Sequence, residues 1–370
     1  MTTIESIQII RVSLPFVTGG PLQSIGPNLG PWQKMECIIA NIKTSDGLEG
    51  WGEGFGQLMA PGTEAVLNQI IAPMLIGKDA TGIRHRISDI ERPLHGLGRS
   101  GPAQYGISAI DIALWDLAGK RAGLPLFRML GGRDGLISKY ASLMRYGGDT
   151  DAVSKNVSRA RANGFKIIKL HETTIPAFRA ARDAVNNEDN ICLDVNCPWT
   201  VAEAIGVAQE IRGDDFYWLE EPVWPPEDYA GLAKVKKQGV PISAGENITT
   251  PHEFKTALEM NAIDNLQPSV TKCGGISAMQ KIFSLSAMYP VQLIPHCFCW
   301  GPGYLATAHL AASRVEPIPL ETPFISFAVQ PHRYFDIASA SLALDDSPGL
   351  GFDPRWDELE KFVLSANTTG

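Results

Sequence analysis

The sequence predicts an α/β protein whose larger part is a parallel barrel, preceded by a smaller α+β unit. Two observations carry this. From about Ser138 onward, short apolar runs (IIKL, ICLDVN, YWLEEP, ISAGEN, DNLQPS, VQLIPH) alternate with helical segments, the pattern of a parallel sheet buried on both faces. Polar or ionisable residues stand at the ends of those runs, at Lys169, Asp194, Glu220, Glu246, Lys272, His296 and Glu321, separated by 25, 26, 26, 26, 24 and 25 positions. A βα unit has about this length, and eight of them make a barrel of ~250 residues. Barrel chemistry gathers at the C-terminal strand ends, so one such residue per unit predicts a single active mouth.

The elements follow in order. Ile4 to Val12 reads as a strand, and Glu36 to Gly54 as two more, joined at Ser45-Asp46-Gly47, a hairpin turn signal. Residues 12–33 contain no charge and are rich in Gly and Pro, which suits a surface connection or a lid over a pocket. Helical patterning covers Thr63 to Ile76 and Gly101 to Gly119, and Gly123-Leu124-Pro125 ends the second helix. Strands followed by helices make this first region an α+β unit. Beyond it, helices are expected over Asp151–Asn163, Ile175–Val185, Val201–Arg212 and Pro251–Glu259.

Composition excludes several classes. The chain has 370 residues, 44% hydrophobic and 19% charged, as in an ordinary globular protein. A net charge of −8 without a Lys/Arg cluster argues against nucleic acid. No apolar run approaches the roughly 20 residues of a membrane span, and the start lacks a signal-peptide pattern. The six cysteines have no paired metal-ligand spacing and read as reduced buried residues of a cytoplasmic enzyme. His85, His95, His252, His309 and His332 read as surface or satisfied core residues. Asp111 and Asp116 read as structural pairs, and Pro348-Gly349-Leu350-Gly351 as a turn.

Asp194, Glu220 and Glu246 close three successive runs, so their carboxylates converge. Left bare they would repel one another and raise each other's pKa, which a divalent cation relieves. Oxygen-only ligation favours Mg²⁺. Neighbours on a strand face opposite ways, so only one of Glu220 and Glu221 points inward. By the same rule Lys169 and His171 emerge side by side from the second barrel strand.

The set IIKLH, LDVN, WLEEP, AGEN, QPSVTKCGG and PH, with SAIDIALWDLAGKRAGLPLFRMLGG upstream, resembles the enolase superfamily across nearly the whole chain. More narrowly it resembles the mandelate racemase/muconate lactonizing enzyme group, in its mandelate racemase-like branch. The resemblance implies a (β/α)7β modified TIM barrel over residues 126–325. It also implies an N-terminal α+β capping domain over 1–125, completed by a C-terminal segment, 326–370, and a homo-oligomer. It implies Mg²⁺ on Asp194, Glu220 and Glu246, and abstraction of the proton α to a carboxylate to give an enediolate, by a Lys or His base. His296 takes the position of the histidine facing the substrate from the side opposite the Lys-x-Lys strand. Glu321 takes that of an acid bonded to the substrate carboxylate, Asn196 that of a substrate contact, and Lys272 that of a catalytic lysine.

Two departures shape the reading. The usual Lys-x-Lys is Lys169-Leu170-His171, so either residue is a candidate base. Ser269 stands where the family has an acid, so His296 lacks the partner that would set its tautomer and either suits a general acid or shares its role with Lys272. The expected reaction is dehydration of a sugar acid or related hydroxy carboxylate. The uncharged 12–33 stretch points instead to a less hydroxylated substrate, so a racemase, epimerase or cycloisomerase reaction is the second reading. An inactive carboxylate-binding barrel is the reading of another class, and it predicts missing acids where all three are present.

Overall fold

The computed structural model describes residues 2–24 and 30–370; five residues of the uncharged 12–33 stretch lie outside the described residues. The first sheet is antiparallel: β1 (Ile4–Val17) pairs with β2 (Lys34–Thr44), and β2 with β3 (Glu49–Gly54). β1 therefore runs five residues beyond the expected end at Val12, because Val12, Leu14 and Phe16 continue its alternation and are buried. Both faces of this sheet are covered. Ile7 and Ile9 pack with Leu67, Ile71 and Ile110 of the cap's own helices, while Val12, Leu14 and Phe16 join the core that continues into the barrel. In the segment EGWGEG, alternate glycines let helix Pro102–Ala122 lie against the strand: a Cβ at Gly52 would come 1.9 Å from the Ala109 carbonyl oxygen.

Eight parallel strands follow: β4 (Leu136–Ser142), β5 (Ile167–Leu170), β6 (Asn190–Asp194), β7 (Trp218–Glu220), β8 (Ile242–Ala244), β9 (Asn265–Leu266), β10 (Gln292–Leu293) and β11 (Leu320–Pro323). Their spatial order is β10-β9-β8-β7-β6-β5-β4-β11, the consecutive order of a barrel with each crossover helix outside. Helix Thr150–Ala162 buries Val153, Val157 and Ala160, one helical face, and Asp149 caps it by accepting from the Asp151 and Ala152 amides. Thr200–Glu203 and Thr250–Glu253 form capping boxes on the helices Val201–Ile211 and Pro251–Glu259. Tyr140, Cys192, Trp218 and Ile294 form a separate cluster inside the barrel.

The C-terminal segment visits both parts. β12 (Ser326–Phe327) extends β1 at Phe16, and β13 (Ser341–Ala343) pairs with the first barrel strand, β4. β14 (Val363–Thr369) then lies antiparallel along β1, with Ile7 opposite Thr369. No described helix is long and apolar enough to cross a membrane.

Buried acids join the cap to the barrel. Glu53, on β3, accepts the Gly301 and Gly303 amides at 3.2 and 2.8 Å, and burial pushes its carboxyl up to about 7. Asp116 pairs with Lys120 at 2.8 Å and accepts the Leu350 amide at 2.7 Å, inside the turn formed by Gly349 and Gly351. Asp111 departs from the expected pairing. It has no ion pair among the described residues and accepts the Ser277 amide at 2.9 Å, and burial pushes it up to about 7.

His309 and His332 are satisfied core residues. His309 accepts from the Phe127 amide (3.0 Å) and donates to the Leu350 carbonyl (3.1 Å). His332 donates through Nε2 to the Trp300 carbonyl (2.7 Å), and its Nδ1 accepts from the Tyr334 amide (3.3 Å). Burial, opposed only partly by the Trp300 carbonyl, lowers His332 to about 4. Between about pH 6.5 and 4 the unfolded chain therefore binds a proton that the folded chain refuses, and this contribution to stability is lost as pH falls through that window. His332→Gln is expected to destabilise the protein by about 2–3 kcal/mol at pH 7.5. The deficit relative to wild type should shrink by about 2 kcal/mol at pH 5. Paired urea unfolding curves check this; a deficit independent of pH would contradict it.

Candidate active site

The seven residues of regular spacing all come to one end of the barrel, but not at one height. Lys169 and Asp194 lie on β5 and β6, and Glu220 ends β7. Glu246, His296 and Lys272 lie two, three and six residues beyond β8, β10 and β9, while Glu321 sits within β11. The expectation that all stand at strand ends is thus corrected for these four. Unit length stays constant because it is set by a strand, a helix and two turns; where the strand stops within each unit varies.

The lower layer is sealed. Lys169 is fully buried, with Nζ 2.7 Å from Glu220 Oε1, 3.0 Å from Asp194 Oδ2 and 3.0 Å from Glu321 Oε1. Burial alone would lower its pKa, but the three carboxylates outweigh this and hold it well above the usual lysine value. Glu321 also accepts the Cys297 amide at 2.7 Å. It lies beneath the cavity instead of lining it, unlike an acid poised over substrate. Glu220 accepts from Trp218 Nε1 (3.0 Å) and Gln267 Nε2 (2.9 Å). Burial first, and then the charge of Asp194, pushes its carboxyl up. Glu221 turns the other way, as strand alternation requires, and accepts from Cys197 Sγ at 3.2 Å and from Asn247.

Above this layer opens a cavity of roughly 470 Å³ reached by His171, Asp194, Asn196, Glu246, Lys272 and His296. His171 Nδ1 donates to the Leu143 carbonyl, which fixes the tautomer, and Nε2 stands 3.2 Å from Asp194 Oδ2. Across the mouth, His296 Nε2 lies 2.8 Å from Glu246 Oε2. Its Nδ1 is buried without a hydrogen-bond partner among the described residues, and Ser269 instead bonds Thr271 at 3.3 Å. Lys272 Nζ is 3.5 Å from Glu246 Oε2 and 4.4 Å above the Phe55 ring of the cap. Asn196 bonds Asp194 Oδ1 through its amide (3.0 Å) and Nδ2 (2.9 Å). Burial pulls Asp194 and Glu246 upward, but Lys169 and His171 on the first, and Lys272 and His296 on the second, hold both below the ordinary carboxylate range.

Asp194, Glu220 and Glu246 thus come together from three adjacent strands, with Asp194 and Glu220 in register. Their hard oxygens suit a divalent cation of the Mg²⁺ kind. Each is engaged by a cation of the chain, and among the described residues no three His, Cys, Asp or Glu side chains form a ready metal cage. An ion held by these carboxylates would have to displace the chain's own cations from them.

The cavity has walls that the sequence reading did not single out: Thr18, Gln23 and Trp32 from the cap segment, Phe55 and Gln57 after β3, Met144 and Arg145 after β4, and Phe298. Arg145 had a signal. Carried one unit back from Lys169, the spacing of 24 to 26 lands on it, 24 positions earlier. Glu172, next to His171, is a second residue passed over. It is buried and accepts the Tyr146 and Gly148 amides, the latter at 2.8 Å, which fixes the loop carrying Arg145.

Comparison with known proteins agrees with this geometry. Residues 20–131 match the model for the mandelate racemase / muconate lactonizing enzyme N-terminal domain, and residues 152–358 the enolase C-terminal domain-like model. The chain is 31% identical to D-galactarolactone cycloisomerase of Agrobacterium fabrum over 352 residues, 88% of this chain and 91% of that protein. It is 30% identical to L-talarate/galactarate dehydratase of Salmonella typhimurium over 381 residues, 96% of this chain and 92% of that one. The crystal structure of the latter, liganded with Mg and L-lyxarohydroxamate, superposes with a TM-score of 0.86 at 29% identity, covering 100% of this chain and 95% of that chain. On the motifs, the fold and these matches, the chain belongs to the mandelate racemase/muconate lactonizing enzyme family of the enolase superfamily.

Proposed function

We propose that this protein removes the proton α to the carboxylate of a sugar acid and completes a dehydration. The observation that carries the reading is the pair of imidazoles facing one cavity from opposite sides, with acids between them. Asp194, Glu220 and Glu246 would hold Mg²⁺, which when bound supplies Lewis-acid stabilisation of charge on the substrate carboxylate.

His171 serves as base. Its Nδ1–H is committed to the Leu143 carbonyl, and Nε2, which meets Asp194 Oδ2 at 3.2 Å, would offer its lone pair to the cavity once that acid turns to the metal. Lys169, sealed and held protonated by three carboxylates, instead balances their charge from below. His296 carries a proton on Nε2 toward Glu246 and serves as general acid. The α-proton passes to His171, the β-hydroxyl leaves as water with a proton from His296, and the resulting enol tautomerises to a 2-keto-3-deoxy acid. Glu321 keeps Lys169 and the Cys297 amide in place. The six unpaired cysteines support the cytoplasm as its compartment.

A cycloisomerase reaction is the second reading. The aromatic and apolar walls from Trp32, Phe55, Met144 and Phe298 suit a cyclic, less hydroxylated substrate, and two relatives are named for such a reaction. Incubating the protein and Mg²⁺ with a panel of sugar acids and their lactones in D₂O separates the outcomes. Dehydration gives a 2-keto product lighter by one water, whereas cycloisomerisation conserves composition apart from deuterium. Failure of every acid to exchange its α-proton overturns the proposal. Calorimetric titration should show one divalent site that Asp194→Ala removes.

A further inference from the structure

We propose that Arg145 receives a second carboxylate at the far end of the substrate, so that the preferred substrates are dicarboxylic sugar acids or their monolactones. This rests on the sugar-acid reading above and names the substrate class for the same site.

Arg145 lies three residues beyond β4 and lines the cavity together with His171 and Asn196. The other basic side chains reaching the cavity each face an acid of the proposed metal end, His171 on Asp194 and Lys272 and His296 on Glu246, whereas Arg145 faces none of these acids. Among the described residues Arg145 has no acidic partner, and its side-chain bond runs from Nη2 to Thr173 Oγ1 at 3.1 Å. That contact leaves guanidinium donors available to an anion, and a guanidinium matches a carboxylate in a paired geometry.

The corner around it is built. Glu172 fixes the Tyr146 and Gly148 amides. Tyr146 donates to the Thr18 carbonyl at 3.3 Å, so the cap segment sits on the same loop. At Gly147, φ is +70°, and a Cβ there would come 2.8 Å from Gln23 Oε1. Cap and barrel thus close together on this side, with Gln23 against Gly147 and lining the same cavity as Arg145.

The span also fits. Arg145 follows β4, two strands from β6, where Asp194 sits. Neighbouring strands lie about 4.8 Å apart, so the two strands stand roughly 10 Å from each other at the mouth. An extended six-carbon diacid has five C–C bonds of about 1.5 Å and bridges that gap once its terminal oxygens and hydrogen bonds are included. A sugar monoacid of the same length would present only a hydroxyl to the guanidinium.

Binding of galactarate and galactonate in the presence of Mg²⁺, measured by calorimetry on the full chain, tests this. These acids differ only in the terminal group, carboxylate against hydroxymethyl. Wild type should prefer galactarate by tenfold or more. Arg145→Gln should lose that preference, weakening galactarate by about tenfold while changing galactonate less than twofold, and Arg145→Lys should recover part of it. Equal weakening of both acids, no weakening of either, or tighter wild-type binding of galactonate would overturn the assignment. So would failure of both to bind. Divalent binding and α-proton exchange across the wider acid panel judge the underlying reaction separately.

Discussion

Replacing His171 by asparagine is expected to lower the rate of α-proton exchange by about a thousandfold, within the 10²–10⁴ range typical of a lost general base. Divalent binding should persist, because Asp194, Glu220 and Glu246 are untouched. His171 is the residue of the Lys-x-His pair that reaches the cavity, and the Leu143 carbonyl consumes its other nitrogen. Asparagine can keep a bond to that carbonyl but has no basic nitrogen. Deuterium incorporation into substrate, followed by NMR, checks the result. Exchange at near wild-type rate in His171→Asn would move the base to Lys169, and the sealed geometry would then have to open. His296→Asn should behave differently: exchange continues while loss of water stops.

The second large effect concerns Lys169. In metal-free buffer, Lys169→Met should reduce stability by about 3–5 kcal/mol, the usual consequence of removing one partner from a buried ionic cluster. Asp194, Glu220 and Glu321 would face one another without their shared cation. Millimolar Mg²⁺ should restore a larger share of stability in this variant than in wild type, since the ion then neutralises Asp194 and Glu220 without displacing an ammonium group. Urea unfolding with and without Mg²⁺ provides the comparison. A loss that Mg²⁺ does not relieve would show that these acids are not the metal's ligands.

These variants separate two jobs that the sequence could only place side by side. Alternation along a strand puts Lys169 and His171 on the same face. It leaves open which of them sits below the rim, sealed, and which sits above it, exposed to substrate. That depends on where β5 ends and on the acids supplied by β6, β7 and β11, which lie 25 to 152 positions away in sequence. Glu321 makes the same point. Its position in the count is regular, yet its side chain points down to Lys169 and the Cys297 amide.

Several features were legible because they follow from local backbone geometry. A βα unit of fixed length put one ionisable residue per turn of the barrel at the same mouth. The Ser45-Asp46-Gly47 turn joined two strands, and apolar periodicity placed the six helices it named to within a few residues. The spacing of Asp194, Glu220 and Glu246 brought three acids to the same end of adjacent barrel units, as expected. The absent dyad acid at Ser269 was also legible, and it has a visible consequence in the bare Nδ1 of His296.

Tertiary packing decided the rest. β1 ran on to Val17 because its last apolar residues found a core that the barrel supplies. Asp111 became an acceptor for the Ser277 amide and not an ion-pair partner, because a helix start reaches it while Lys281 acts on it only through space. Arg145, Trp32, Phe55 and Phe298 became cavity walls only once cap and barrel met. The sequence by itself determined the fold and the identities of the chemical groups, since hydrophobic period and residue type are written locally. Which group faces substrate, which is sealed and which cation stays unpaired were decided by tertiary structure. Those outcomes depend on depth and distance between segments far apart in the chain, and no local pattern encodes them.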